Sequence, residues 1–332
     1  MGRRHLAGAS TAVGALLAVV ATFFVGRALL REWDEVRASL TDANLGWIAL
    51  AALLAAAGMT AIAVPWRRAL ELLGAELPQV EVVARYYVGE IGKYVPGGIW
   101  TVVGRAELAR RAGVGRIAAY SSVALSLAAL YLAAMFVVVA GAPAIVGGGE
   151  PGRYLWVLVL LPVGVVGLHD AVLERARRVG ERLLGRSIDT PIPAWGDSLT
   201  LVVRYLPAWL GIGTATWAIA RGLGQDVSWL DVAPAAVLSW IVGFVLVPVP
   251  GGVGVREAAF VAASGLDPGV AAAVAVVARV LFVLVDIAGA AWGSASLARQ
   301  RVVSTSSGRH QTPVSHSGQD GLGHQREQPL SN

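Results

Sequence analysis

A short stretch that cannot be helical interrupts the apolar part of this chain and limits what it can fold into. Val249-Pro250-Gly251-Gly252-Val253-Gly254-Val255-Arg256-Glu257 lies between apolar runs of helical length. Proline lacks the N–H a helix needs and glycine holds a helix poorly, so the helix must break there. Non-helical backbone at membrane depth is tolerated only where it is buried in protein or lines a cavity. An Arg-Glu pair beside such a break is costly, which marks it as a functional-site candidate. An echo lies upstream: Val95-Pro96-Gly97-Gly98-Ile99-Trp100, followed by Gly104-Arg105-Ala106-Glu107. A break followed by Arg and Glu in each half is the pattern of a membrane protein built from internal repeats.

Composition places these breaks in a membrane. The chain is 56% hydrophobic and 15% charged, against about 45–50% and about 25% for soluble domains. Its mean hydropathy is +0.63. A polytopic integral membrane protein follows. There is no cysteine, which removes disulfides, thiolate metal sites, iron–sulfur clusters and cysteine nucleophiles. The net charge of +5 reads as arginine in cytoplasmic loops, not as a nucleic-acid surface.

The fold class expected is all-α, with six full transmembrane helices and two re-entrant helical hairpins in an inverted-repeat arrangement. After the basic start Met1-Gly2-Arg3-Arg4-His5, residues 6–30 are apolar over about the 20 residues a span needs, longer than the 7–15 of a signal peptide. They are read as a retained first span with a cytoplasmic N-terminus. Further spans are expected at 45–64, 117–140, 153–168, 199–220 and 269–297, the last leaving the C-terminus cytoplasmic. Residues 69–85, with Glu71, Glu76 and Glu81, are expected as an amphipathic stretch on the cytoplasmic surface. Residues 174–186 hold five arginines and are expected as an interfacial helix on anionic headgroups. The breaks fall near 86–104, where Glu90 and Lys93 argue against a full span, and near 246–266. The transmembrane domain is set at 1–303 and a disordered polar tail at 304–332.

The chemistry expected at the breaks is anion binding. A helix starting near Val255 would direct its N-terminal N–H groups into the membrane interior. The guanidinium of Arg256 matches a phosphate bidentately. The candidate headgroup contacts are Lys93, Arg105, Gly251, Gly252 and Arg256, with Pro96, Gly97, Gly98 and Pro250 making the breaks. Glu107, Glu257, Arg279 and Asp286 are expected to balance the charge of the cavity. The competing reading has Arg256 paired with Glu257 or a neighbouring carboxylate, merely locking the hairpin. Arg279 and Asp286 are two helical turns apart and share a face; they suit either charge balance or an inter-helix ion pair. Tyr94 and Trp100 are read as interfacial anchors. His169-Asp170 resembles a metal-hydrolase dipeptide, but no ligand cluster accompanies it, and no metal or cofactor is expected. Nucleophile-elbow, Walker and dinucleotide motifs are missing, which argues against an enzyme.

Gly92-Lys93-Tyr94-Val95-Pro96-Gly97-Gly98-Ile99-Trp100 with Gly104-Arg105 resembles the first signature of the lysylphosphatidylglycerol synthase transmembrane (flippase-like) family. Pro248 to Glu257, followed by Arg279 and Asp286, resembles the second. The resemblance covers about residues 10–300. It implies a domain of the kind that moves aminoacylated phosphatidylglycerol between leaflets in bifunctional members, whose separate soluble domain makes that lipid. The chain has no room for that soluble domain after its tail, so synthesis of the lipid is not expected of it. The expectation is a lipid translocase in the cell membrane, acting on an anionic phospholipid or a polyprenyl-phosphate-linked lipid, with membrane lipids as partners and no nucleic acid. The rivals are an accessory membrane subunit of a lipid or glycan synthase, a membrane-embedded lipid-modifying enzyme and, more distantly, a small-solute or ion transporter.

Overall fold

The computed structural model describes residue 37 and residues 41–95, 99–141, 155–185, 187–245 and 254–309. Residues 6–30 and the break residues Pro96, Gly97, Gly98, Pro250, Gly251 and Gly252 lie outside the described residues. Every regular element among the described residues is helical. They are α1 (Leu45–Leu72), α2 (Gln79–Glu90), a 3-10 turn (Ile91–Tyr94), α3 (Trp100–Arg111), α4 (Arg116–Ala140), α5 (Leu155–Gly167), α6 (Asp170–Leu184), α7 (Trp195–Gly222), α8 (Trp229–Val245), α9 (Val255–Ala263) and α10 (Pro268–Arg309).

Packing divides the chain into two units, Met1–Leu297 and Ala298–Asn332. The second holds the end of α10, which runs to Arg309 and so past Ser304, the expected start of the tail; residues 310–332 lie outside the described residues. Among the described residues three helices are long and apolar enough to cross a membrane: Leu45–Leu72, Arg116–Ala140 and Pro268–Gln300. The expected span at 199–220 lies within the 28-residue α7. That at 153–168 is represented by the 13 residues of α5.

The element order repeats within the first unit. A long helix, a pair of shorter helices flanking a break and a second long helix occur as α1, α2–α3, α4, and again as α7, α8–α9, α10. The short helices pack against each other within each pair, and α1 packs most extensively on α7. The contact of α1 with α7 is built on small residues. A β-carbon on Gly58 would lie 3.0 Å from the Ile212 backbone nitrogen, so the two backbones approach as small-residue seams in membrane helices allow.

One expectation fails here. Residues 69–85 do not form a separate surface stretch: Ala69 and Leu70 complete α1 and are buried. Gly74, at φ 76°, turns the chain. Residues 79–90 then make α2, with Val82, Ala84 and Tyr86 inside. Two of the three acidic residues that suggested a surface location are matched locally, Glu71 by Arg67 at 2.8 Å and Glu81 by Arg85 at 2.7 Å, while Glu76 is exposed in the turn before α2. α6 agrees better with its sequence. Val172, Val179 and Leu183 are exposed on it, and Arg177 donates to both Glu174 oxygens at 2.9 and 3.1 Å. Those bonds hold the Glu174 carboxyl below its ordinary value.

The approach that positions the cavity is that of α10 to α2. Gly289 and Gly293 stand one turn apart on α10, a GxxxG pair. A β-carbon on Gly293 would lie 2.6 Å from the Ala84 carbonyl oxygen, and one on Gly289 would overlap the Tyr87 ring. We expect Gly293→Ala to cost about 1–3 kcal/mol through overpacking, read as a lowered unfolding temperature in detergent. Gly196→Ala, where a β-carbon meets nothing within 4 Å, should leave it unchanged.

Candidate functional site

Residues flanking the two breaks line a cavity of about 350 Å³, with walls from both halves of the chain. Lys93, Arg105, Arg256, Arg279 and Asp286, all expected at the site, line it, and so does Glu90. Its remaining wall is largely aromatic, including Tyr86, Tyr131, Trp240 and Phe282. Ile99 and Phe244 also line it and are exposed at 58% and 43%, so the cavity reaches the outside of the bundle.

α10 supplies two charges to this space, and each grips a different hairpin. Asp286 accepts Lys93 Nζ at 2.7 Å and the Tyr94 hydroxyl at 2.6 Å, both from the first break. Arg279 donates to Glu257 on α9, beside the second break, at 2.9 Å. The two residues share the cavity face, as their spacing requires, but do not pair with each other. Tyr94, read from sequence as an interfacial anchor, is instead a hydrogen-bond donor to a buried carboxylate. Asp286 is 1% exposed, and its other oxygen has no partner among the described residues.

The two arginines of the repeated motif are held alike. Arg256 lays its guanidinium 3.8 Å from the Trp240 ring centre and 5.4 Å from that of Phe282. Arg105 sits 4.7 Å from Trp66 and 4.8 Å from Tyr86. Rings attract a cation through their quadrupole without neutralising it. Arg105 also donates to Ser126 at 3.1 Å, and Ser126 is fixed at 2.5 Å from the Tyr205 hydroxyl. The Arg105 Nε has no partner among the described residues. Among the described residues neither arginine has a carboxylate partner, so the competing reading in which Arg256 pairs with Glu257 does not hold.

Glu257 is engaged elsewhere. One oxygen takes Arg279 and the other accepts the Gly254 N–H at 2.6 Å. The start of α9, expected to offer its N–H groups to an anion, is therefore capped in part by the protein's own carboxylate. Glu107 also departs from expectation. It lies outside the cavity lining and pairs with Arg110 at 2.7 Å on a 38% exposed site. Glu107 stands two residues after Arg105 where Glu257 directly follows Arg256, and the first break leads through more helix before it. Glu90, noted at the first break but given no site role, approaches Lys93 at 3.5 Å. Their i, i+3 spacing was the available signal. Trp240, set between Lys93 and Arg256, gave no signal; it is an unremarkable member of an apolar run. His169 accepts the Ala171 N–H at the start of α6, the role of a helix cap.

With this geometry in place, comparison with known proteins becomes informative. A family model described as the lysylphosphatidylglycerol synthase TM region matches residues 11–290. The chain belongs to that family. Membership makes it a membrane protein of a lipid-related family, and the match runs through both breaks and α10 as far as Asp286. No curated protein matches the chain.

The Lys93–Asp286 contact should dominate the stability of the site. Removing one partner of a buried pair leaves an uncompensated charge, at a cost of about 3–5 kcal/mol. Asp286→Ala is expected to show that loss in denaturant unfolding. The double change Lys93→Met with Asp286→Leu should recover most of it.

Proposed function

We propose that the chain is a lipid translocase of the cell membrane that moves a lipid with an anionic, phosphate-bearing headgroup between leaflets. The observation that carries this reading is Arg256: a guanidinium lining a cavity, spread on Trp240 and without a carboxylate partner among the described residues. A charge kept in an apolar bundle is expensive unless something compensates it, and a phosphate is the group its planar fork fits. The exposure of Ile99 and Phe244 at the cavity supports a lateral opening through which acyl chains remain in the bilayer while the headgroup enters.

In this reading the α2–α3 and α8–α9 pairs are re-entrant hairpins from opposite faces, the two halves are related as an inverted repeat, and both termini are cytoplasmic. The opposed apolar helices and the repeated order of elements support this arrangement. An anionic phospholipid and a polyprenyl-phosphate-linked lipid both suit the site. Transport makes and breaks no covalent bond, so the protein acts as a carrier and not as an enzyme. A lipid or glycan synthase would use it as a supplier of substrate.

The test is translocation in proteoliposomes, with labelled phosphatidylglycerol and a labelled polyprenyl-phosphate-linked sugar, a phosphodiester. Arg256→Ala should lower transport about ten- to a hundredfold, the worth of a charge-assisted hydrogen bond, with the yield of folded protein unchanged. Transport unaffected in a folded variant would remove Arg256 from the path. Absence of transport by well-folded wild type, with stoichiometric co-purification of a synthase, would favour an accessory subunit.

A further inference from the structure

We infer that the cavity selects a headgroup bearing a single negative charge, a phosphodiester, against phosphomonoester and diphosphate headgroups. This rests on the translocase reading and concerns the same cavity. Four cations belong to it: Lys93, Arg105, Arg256 and Arg279. Three carboxylates answer them: Glu90 and Asp286 in the lining, and Glu257 bonded to Arg279. The formal surplus among the described residues is one positive charge.

The placement of that surplus matters as much as its size. Lys93 already faces two carboxylates, Asp286 at 2.7 Å and Glu90 at 3.5 Å, and Arg279 is bonded to Glu257. The positive field is left at Arg105 and Arg256, the two guanidiniums carried on rings, and Arg105 retains an N–H without a partner among the described residues. A guanidinium fork suits the two non-bridging oxygens of a phosphodiester. A phosphomonoester carries about −1.5 to −2 at neutral pH. It would leave excess negative charge facing Glu90 and Asp286 across the cavity. Like charges brought together at low dielectric cost several kcal/mol. A headgroup of no net charge would leave the arginine field uncompensated. The volume agrees: about 350 Å³ exceeds what a bare phosphate fills and falls at the lower end of small-ligand pockets, leaving room for the alcohol on the far side of a phosphodiester.

The experiment is competitive translocation in proteoliposomes with three labelled lipids of matched chains: phosphatidylglycerol, phosphatidic acid and phosphatidylcholine. Wild type should prefer the phosphodiester phosphatidylglycerol by about tenfold over each of the others. Glu90→Gln raises the surplus to two and should shift preference toward phosphatidic acid. It leaves the Lys93–Asp286 contact in place, so the cavity should fold. Arg256→Gln removes the surplus and should shift preference toward phosphatidylcholine, even as the overall rate falls. Equal rates for all three lipids, or shifts in the opposite direction, would overturn the charge rule while leaving the translocase standing. No transport of any lipid by folded wild type would overturn the translocase itself.

Discussion

Because Arg279 and Asp286 stand two turns apart on α10, about 10 Å along its axis, one rigid helix holds both hairpins at once. Each residue meets a partner of opposite sign from a different break: Glu257 from the second and Lys93 from the first. A charge buried alone in an apolar bundle would be several kcal/mol too costly, so neither hairpin can leave α10 without exposing the other member of its pair. The GxxxG approach of α10 to α2 brings Lys93 within reach of Asp286. Backbone packing thus comes first in the causal order, and the polar contacts depend on it.

Rings, not carboxylates, support the two motif arginines, and the difference has consequences. A carboxylate stabilises a guanidinium by neutralising it, which leaves little field for a ligand. Trp240 and Phe282 under Arg256, and Trp66 and Tyr86 under Arg105, lower the cost of burial while the charge stays available. Trp240 also lies 5.8 Å from Lys93. One indole therefore faces cations from both halves and ties the chemistry of the two breaks together.

Much of this was legible in the sequence, for stated physical reasons. Proline with glycine ends helices whatever the tertiary context, so both breaks were readable, as was the start of α9 at Val255. A spacing of seven on a helix fixes a face, so the convergence of Arg279 and Asp286 on one space was readable too. Partner choice was not. Whether Glu257 meets Arg256 or Arg279 depends on the tilt of a 9-residue helix, which no local pattern encodes. The supports of Arg105 come from α1, α2 and α4, separated from it by up to dozens of residues, and an aromatic in an apolar run looks the same whether it faces lipid or a cation. The acidic residues of 69–85 misled because local ion pairing can satisfy charge as well as water does.

The repeat is closer in sequence than in wiring. Three residues before the proline of the first break stands Lys93; three before that of the second stands Val247. The motif glutamates diverge as well, Glu257 toward α10 and Glu107 toward Arg110. The second hairpin is consequently tethered within its own half, by Arg279 to Glu257, whereas the first is tethered across the halves, by Lys93 and Tyr94 to Asp286. A motion that parts the two halves at the cavity can leave the Arg279–Glu257 bond whole but must separate the Lys93–Asp286 contact. That contact is the more buried at its carboxylate, with the Asp286 side chain fully enclosed. Asp286 keeps one oxygen without a partner among the described residues, whereas both oxygens of Glu257 are bonded. The contact that holds the two halves together at the cavity therefore lies at the first break.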